Sequence, residues 1–433
     1  MALPDMAADA LSVSAAWRGS TIDDWRDEEP GKLIHQARDG PTSAVGINPF
    51  TAYFGDYAAP CDFLILLGQH LAWTGDVATT RALAPAAEEV LRWLDRYADV
   101  DGDGFIDYVM RSEHGVLQQG WKDSPDAIVD EHGEVMDPPI ATCELQGYWY
   151  IGLRQATFAF MFAGERILAL RLLARAKALR ERFNERFWIK DQRFYSLALG
   201  PDDRLLRSIT SNPGHLLATG IVPVDRASDV IDRLLADDLF SGWGVRTLST
   251  LHPSYNPFSY HLGSVWPVEN ATFILGCVRY GRWDAAHRIA EGLFAASDLF
   301  VDNRLPESLG GLPRNDHHPH PGIYPSSNEP QAWSASAIIL AVQALLGMRP
   351  IAPANLLLVD PHLPEWLPYL ELNGLHVGQA TADLVFTRRD DATTDAHVRN
   401  VDGTLRVRRQ RPPQTKPRGP IATPVNLAER IFS

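Results

Sequence analysis

Helical periodicity runs from the start of the chain to about residue 348, and this feature most limits what the chain can fold into. Apolar residues recur mostly at spacings of three and four in 83–97 and again in 166–187, so each segment is predicted to bury one face. Several predicted helices form consecutive pairs with short connections, which favours a toroid or barrel of helical hairpins. The other predicted helices are 62–73, 143–162, 225–239, 268–280, 283–296 and 333–346.

The pattern changes near Pro350. Residues 376–390 (HVGQATADLVFTRRD) alternate apolar and polar side chains, and GTLRVRRQ repeats the alternation after a turn at Asp402-Gly403. This alternation is typical of half-buried strands. We therefore predict a helical domain over 1–350 and a small β appendage over 351–410. The proline-rich, basic segment 411–433 is predicted to be a disordered tail.

The composition excludes several classes of protein. The chain has 433 residues, 54 of them acidic and 40 basic, and its formal net charge of −14 disfavours a nucleic-acid partner. Cys61, Cys143 and Cys277 are far apart and lack metal-knuckle spacing, so we expect a cytoplasmic protein. No secretory signal is predicted, and no run of about 18 apolar residues predicts a membrane span. The oligomeric state cannot be predicted from these features.

Three long loops, 99–141, 240–266 and 299–331, carry most of the clustered aromatic and polar residues. Aromatic rings stack on the C–H face of a sugar, and polar groups bind its hydroxyls. Core packing explains any single tryptophan equally well, but their joint occurrence in loops favours a sugar site. The motifs are GWKDS (120–124), GWGVRTLS (242–249), YNPFSYHLGSVWP (255–267), RLPES (304–308) and PQAW (330–333).

Hydrolysis of a glycosidic bond needs two carboxyl groups, and Asp123 and Glu307 are the best candidates. Both lie in long loops among residues that could form a pocket. Trp121 could desolvate Asp123 and raise its pKa, whereas Lys122 could lower it. Each acid alone is equally compatible with a solvated loop position. Glu269 is a rival second acid, although the first turn of the following helix explains it better.

In this order, these motifs resemble the catalytic domain of bacterial glycogen-debranching-type amylo-α-1,6-glucosidases. Two upstream segments, WRDEEPGKLIHQAR (25–38) and LAWTGD (71–76), also resemble that family. The resemblance covers about residues 20–390. It implies an all-α fold, the (α/α)6 barrel of the six-hairpin glycosidase clan, which includes glucoamylases and processing glucosidases.

The resemblance also implies a function. The chain would be an inverting glycoside hydrolase of α-glucosides, for example of the α-1,6 branches of a glycogen-like polymer, with no cofactor. Asp123 would be the general acid and Glu307 the general base. The implied sugar-binding residues are Trp121, Lys122, Trp243, Arg246, His261, Trp266, Gln331 and Trp333.

The chain departs from the family pattern at several points. Relatives have an aspartate after the YFG element, where this chain has Ala58-Ala59-Pro60, and Asp56 or Asp62 could replace it. The barrel is expected to be incomplete at its N-terminus. Two alternatives therefore stay open. The first is a non-catalytic carbohydrate-binding remnant of the same fold, and the second is a sugar epimerase in which His261 would act as acid and base.

Two segments have the composition of metal sites, but neither predicts one. DVDGDGFIDY (99–108) places Asp99, Asp101, Asp103 and Asp107 as in a calcium loop. The twelfth position holds Met110 rather than a bidentate glutamate, so a turn rich in Asp and Gly is favoured. The HHPH cluster at 317–320 lies in a proline-rich segment and is interpreted as a solvated loop.

Overall fold

The structure is a computed structural model and describes residues 3–410. The predicted tail, 411–433, lies outside the described residues. Within the described part of the chain, pairs of helices with short connections alternate with long loops. The helices are α1 (Pro4–Ala16), α2 (Pro41–Ala44), α3 (Ala58–Thr74), α4 (Val77–Arg96), α5 (Cys143–Ala163), α6 (Arg166–Arg186), α7 (Asn212–Thr219), α8 (Val224–Leu234), α9 (Pro267–Arg279), α10 (Trp283–Ser297) and α11 (Ala332–Leu345).

Local sequence accounts for where these helices begin and end. The Asp76 side chain accepts a hydrogen bond of 2.9 Å from the backbone N–H of Thr79 and so caps α4. Gly75 ends α3 with φ 68°, and its N–H donates to the carbonyl of Leu71 at 2.8 Å. All eight predicted helices are present, although α8 ends at Leu234 rather than 239. Helices α1, α2 and α7 were not predicted.

The helices form an inner and an outer layer. α3 packs against α5, α5 against α7, α7 against α9, and α9 against α11. The intervening helices cover this row from outside: α4 contacts α3 and α5, α6 contacts α5, α8 contacts α7, and α10 contacts α9 and α11. α1 packs against α3 and α4. This alternation of inner and outer helices matches the predicted toroid of hairpins.

The inner helices run parallel, so their N-termini meet at one end of the fold. Asn212 at the start of α7 donates to Glu144 at the start of α5 at 2.9 Å. Trp266, just before α9, lies edge-on to Trp333 of α11, with 5.5 Å between ring centroids. The opposite ends of the same helices surround a cavity of about 160 Å³, lined among others by Trp73, Gln155, Ala218, Arg279 and Gln343.

Small sheets accompany the helices, so the expected all-α class is too narrow: the chain is mostly helical with several short sheets. Three-residue and shorter strands carry too little alternation to be recognised in a sequence. The strands are β1 (Ala141–Thr142), β2 (Trp188–Ile189), β3 (Phe194–Tyr195), β4 (Ala198–Gly200), β5 (Arg204–Leu205), β6 (Leu309–Gly310), β7 (Gly322–Ile323), β8 (Arg349–Ile351), β9 (Leu356–Val359), β10 (Tyr369–Val377), β11 (Ala380–Arg388), β12 (Thr394–Asp402) and β13 (Arg406–Arg409).

The C-terminal strands form two sheets, an antiparallel one ordered β10-β11-β12 and a mixed one ordered β13-β9-β8. Residues 376–390 are not one strand, because Gly378, with φ 63°, lies in the turn between β10 and β11. β12 ends at the predicted turn at Asp402, and β13 then pairs in parallel with β9. These strands share a buried core with Trp73 of α3 and with Leu346. The domain boundaries stay predictions.

Within residues 3–410, no helix combines the length and the apolar character that a membrane crossing requires.

Candidate active site

A cleft of about 490 Å³ opens at the end of the fold where the inner helices begin. Such a volume lies within the range of small-molecule sites. Helix N-termini present unpaired N–H groups and the positive ends of helix dipoles, which suits polar and anionic groups. The lining residues are Ser124, Asp126, Asn256, Ser259, Tyr260, Glu307, Tyr324, Ser326 and Asn328.

Glu307 lies in the wall of this cleft and is only 5% exposed. The side-chain amide of Asn328 donates to its Oε2 at 3.1 Å, and that of Gln331 donates to its Oε1 at 3.2 Å. The backbone N–H of Asn328 also donates to Oε2, at 3.3 Å. Each of these contacts donates to the carboxylate, which suits an ionised, acceptor-only group. The same contacts fix the orientation of both oxygens.

The carboxylates of Asp123 and Glu307 interact electrostatically, although 184 residues (307 − 123) separate them in sequence. Ser124, the residue after Asp123, lines the cleft together with Glu307, whereas Asp123 itself is not among the lining residues. Burial raises the pKa of Asp123, and the carboxylates of Asp56 and Glu307 raise it further, while His35 opposes this. Burial also raises the pKa of Tyr260. Its hydrogen bond to Glu307 and the negative charges of Glu307 and Asp123 raise this pKa further. Tyr260 therefore interacts with both acids of the predicted pair.

The departure at Ala58-Ala59-Pro60 coincides with the start of α3. Asp56 accepts hydrogen bonds from the backbone N–H groups of Ala58 and Ala59, at 2.6 and 3.1 Å. Its other oxygen lies 3.5 Å from Nδ1 of His35. Asp62 lines a neighbouring groove of about 460 Å³ and is exposed to solvent. Of the two substitutes, Asp56 is the one whose charge acts on Asp123.

A set of aromatic rings stands behind the two acids. Trp121 lies edge-on to both His261 and Trp266, with 5.4 Å between ring centroids in each case. His261 stacks on Trp266 at 5.2 Å, and Trp333 meets the edge of Trp266. His261 and Trp266 are each 1% exposed, whereas Trp333 is 38% exposed. Among the predicted rings in this set, Trp333 has the most surface left for a sugar.

His261 is held by its neighbours rather than open to the cleft. Its Nδ1 lies 2.8 Å from the hydroxyl of Ser124. Burial, followed by the charge of Lys122, lowers the pKa of His261 well below its ordinary value. A sealed and neutral imidazole gives little support to a role as acid and base in an epimerase.

Lys122 points away from the cleft into a buried polar layer. Its ammonium group donates to the backbone carbonyl of Thr247 at 2.8 Å and lies 5.5 Å from the centroid of the Trp121 ring. Burial lowers the pKa of Lys122 to about 8, although Glu269 and Glu144 oppose this. Lys122 therefore supports the ring of Trp121 from behind.

Glu269 belongs to this same buried layer, in the first turn of α9 as its sequence position favoured. It is fully buried, and its Oε1 accepts a hydrogen bond from Ser211 and lies 3.1 Å from Nε2 of His215. Glu269 does not line the cleft.

Trp243 and Arg246 are also not brought to the cleft. Trp243 is 1% exposed, and the guanidinium of Arg314 covers its ring at 4.6 Å. Arg246 is 2% exposed and donates to the backbone carbonyls of Gly311, at 2.6 Å, and Asp237, at 3.2 Å. Both side chains hold the second and third loops together. The binding roles of all these residues stay predictions.

Sequence reasoning missed most of the residues that line the cleft, among them Tyr260, Tyr324 and Asn328. Tyr260 stands inside a motif chosen for its neighbour His261, and its ring stacks on Tyr324 at 5.5 Å. Asn328, two residues before the PQAW motif, was not among the predicted site residues, yet it donates twice to Glu307. A tyrosine beside an aromatic motif was the available signal for Tyr260. No local signal connects Asn328 or Tyr324 to Glu307.

Comparison with known protein families assigns the chain to a family of glycoside hydrolases. Residues 65–310, more than half of the 433, match the model of the mannosylglycerate hydrolase MGH1-like glycoside hydrolase domain. The chain belongs to this family. The match includes Asp123 and Glu307, and it confirms the glycosidase class and the six-hairpin clan. It does not specifically indicate glycogen debranching. The family shown is the mannosylglycerate hydrolase-like one, rather than the amylo-α-1,6-glucosidases that the motifs resemble.

Solved structures of glycosidases share the fold at low sequence identity. The GH63 mannosylglycerate hydrolase from Thermus thermophilus, in complex with Tris and D-glycerate, has a TM-score of 0.56 and 16% identity, covering 77% of this chain and 87% of that one. A GH78 rhamnosidase of Bacillus sp. GL1 has a TM-score of 0.60 and 15% identity, covering 85% of this chain and 34% of its own. A sialidase has a TM-score of 0.60 and 12% identity, covering 77% and 31%.

This chain therefore spans about a third of the length of the rhamnosidase and the sialidase. No curated protein matches it.

Proposed function

We propose that this glycoside hydrolase hydrolyses a small α-glycoside with inversion at the anomeric carbon. Asp123 protonates the leaving oxygen, and Glu307 removes a proton from the attacking water. The observation that carries the proposal is that Glu307 and Ser124, the residue directly after Asp123, line one cleft, although they come from loops far apart in sequence.

The two carboxyls have the different environments that this chemistry requires. Burial and the negative charges of Asp56 and Glu307 favour the protonated form of Asp123, as a general acid requires. Glu307 instead receives N–H groups on both oxygens, as an ionised base requires. Inverting enzymes separate the two carboxyls by about 6.5–9.5 Å, which leaves room for the water.

The relationship to a mannosylglycerate hydrolase supports a small substrate. That enzyme was solved with Tris and D-glycerate, so a sugar joined to a small acid is a reasonable candidate here. We infer an α-mannoside or α-glucoside with a short aglycone as the substrate class. The α-1,6 branch of a glycogen-like polymer is the narrower candidate from the motif resemblance. Gln331 and Trp333, at the start of α11, are the predicted contacts for the sugar.

The first experiment is sugar release from a panel comprising mannosylglycerate, small α-glucosides, isomaltose-type α-1,6 glucosides and branched glycogen. Proton NMR of the first product would report its anomeric configuration. We expect release from a small α-glycoside with a β-anomer as the initial product, and loss of release in Asp123→Asn and Glu307→Gln. An α-anomer as first product would exclude the inverting mechanism. Binding of a sugar without release from any member would favour the non-catalytic alternative.

A further inference from the structure

The segment 99–107, which precedes the GWKDS motif, brings several carboxylates close together. Asp99, Asp101 and Asp107 each offer one oxygen, and these oxygens lie within 4.8 Å of one another. Gly102 and Gly104, with φ of 81° and 89°, allow the backbone to turn tightly enough for this. None of these residues lines the cleft.

The loop holds its own shape through hydrogen bonds to both oxygens of Asp99 and to one oxygen of Asp101, and each accepting oxygen keeps a second lone pair. Asp99 accepts from the N–H groups of Gly102, at 2.8 Å, and Gly104, at 3.0 Å. The N–H of Asp103 donates to Asp101 at 3.0 Å. Such Asx-type bonds occur in ordinary turns, so they do not by themselves indicate a ligand.

Asp107 provides the independent observation. Its side chain is 97% buried, since only 3% is exposed, and one oxygen accepts from the N–H of Val100 at 2.6 Å. The other oxygen is buried without a hydrogen-bond partner. A buried, unpartnered oxygen beside like charges is costly unless something positive binds it.

The cations that face this loop have partners of their own. Arg182 of α6 donates to the backbone carbonyl of Gly104 at 2.8 Å. Arg175, also on α6, pairs with Asp95. Asp203, whose carboxylate acts on Asp103, is itself paired with Arg186. In these contacts none of the three arginines bonds to the three gathered carboxylates, so the loop keeps an excess of negative charge.

We propose that Asp99, Asp101 and Asp107 bind a calcium ion. The donor set consists of oxygens, which favours a hard cation over zinc or copper. An irregular loop with several carboxylates suits Ca²⁺ better than Mg²⁺, which demands a near-ideal octahedron and retains its waters. The twelfth position of a regular calcium loop is Met110 here, so Asp107 replaces the bidentate glutamate from within. We expect a dissociation constant on the order of 10⁻⁵–10⁻³ M.

The site would act on the loop that carries Asp123. The backbone N–H of Ile106 donates to Gln146 of α5 at 2.9 Å, and the Gln146 amide donates back to the Ile106 carbonyl at 2.7 Å. Tyr108 then donates to Gln118 at 2.5 Å, only three residues before Trp121. A cation at the loop would therefore stabilise the start of the segment that leads to the cleft.

The test is calcium binding by the full chain after treatment with a chelator, measured by isothermal titration and by terbium luminescence. We expect one site, and an unfolding midpoint that rises by a few degrees with millimolar Ca²⁺. Asp101→Asn, at an exposed position, and Asp107→Asn, which can still accept from Val100, should each weaken binding at least tenfold. Asp225→Asn, an exposed acid in the first turn of α8, is the matched control.

Two outcomes would overturn this proposal: no heat and no luminescence at millimolar cation, or unchanged binding in both loop variants. These readouts do not depend on sugar hydrolysis, so the calcium site and the proposed function can fail separately.

Discussion

Two groups of carboxylates at the same end of the fold differ in what surrounds them. Glu307 is 5% exposed and Glu269 is fully buried, so burial barely distinguishes them. Glu307 borders a cleft of about 490 Å³, whereas Glu269 is enclosed with Ser211, His215 and the charge of Lys122. Burial alone therefore does not identify a catalytic acid. The carboxylate must also border a cavity large enough to hold a sugar.

The strongest test of this contrast is the catalytic activity of variants at Asp123 and Glu307. Asp123→Asn and Glu307→Gln should each lower kcat by about 10²–10⁴-fold, because each removes one proton transfer. An aryl glycoside with a good leaving group should restore activity to Asp123→Asn, since that substrate needs no acid, and should not restore Glu307→Gln. Steady-state kinetics on activated and unactivated glycosides would separate the two roles.

Matched controls for these variants are Asp225→Asn and Glu185→Gln, which change exposed acids on α8 and α6. Both should retain full activity. Equal rescue of both cleft variants by the activated glycoside would contradict the assignment of acid and base.

The buried group should show its effect in stability instead. Glu269→Gln should lower the free energy of unfolding by about 1–3 kcal/mol, because Lys122 loses a nearby negative charge and the Ser211 and His215 contacts weaken. Glu307→Gln keeps one acceptor oxygen, but its amide N–H2 would face one of the donors that now bind the carboxylate. Because Glu307 borders the cleft, water can satisfy the displaced donor, and we expect a cost of about 1 kcal/mol, at the lower end of that range. Denaturant unfolding of both variants measures the contrast. A stable but inactive Glu269→Gln protein would instead place Glu269 among the reacting groups.

The pH dependence of activity sharpens the role assigned to Asp123. Its folded pKa is raised, so its protonated form persists to higher pH than for an ordinary aspartic acid, and kcat/KM should fall as pH rises through that raised pKa. Asp56→Asn removes a charge that raises this pKa, so the alkaline limb should move to lower pH. His35→Gln removes an opposing charge and should move the limb to higher pH.

Both substitutions act on Asp123 from outside its own loop, and Asn at position 56 can still accept from the start of α3. A limb that moves in neither variant would show that another group is the acid.

The helical part of the fold was predictable because the spacing of apolar residues and the residues that end helices are local properties of the sequence. The stripe in α4 and the glycine after α3 define those elements without reference to the rest of the chain. α7 was missed because NPGHLLAT is short and contains both proline and glycine, and its helical form depends on packing between α5 and α9. The short strands are missing from the prediction for the same reason, since their pairing is tertiary.

The site was predictable only to the level of which loops meet. Loop motifs identified Asp123 and Glu307 as candidates, but the path of the third loop brings Asn328 and Gln331 onto Glu307, and no sequence spacing encodes that path. Residue type does not separate Trp243 from Trp333 either. One ring is covered by Arg314 in the interior, and the other is 38% exposed at the start of α11.

Substitution of Trp333 should have the smallest effect on activity. It tests whether this ring contacts the sugar in the cleft or only supports interior residues. Trp333→Ala should raise KM about three- to tenfold with little change in kcat, because a partly exposed ring loses stacking worth about 0.5–1.5 kcal/mol. Trp333→Phe should recover most of the affinity, since a ring can still stack on the sugar. A matched loss in kcat would instead indicate that Trp333 acts through the ring of Trp266, which it contacts edge-on. The ring would then belong with the interior residues rather than with the cleft.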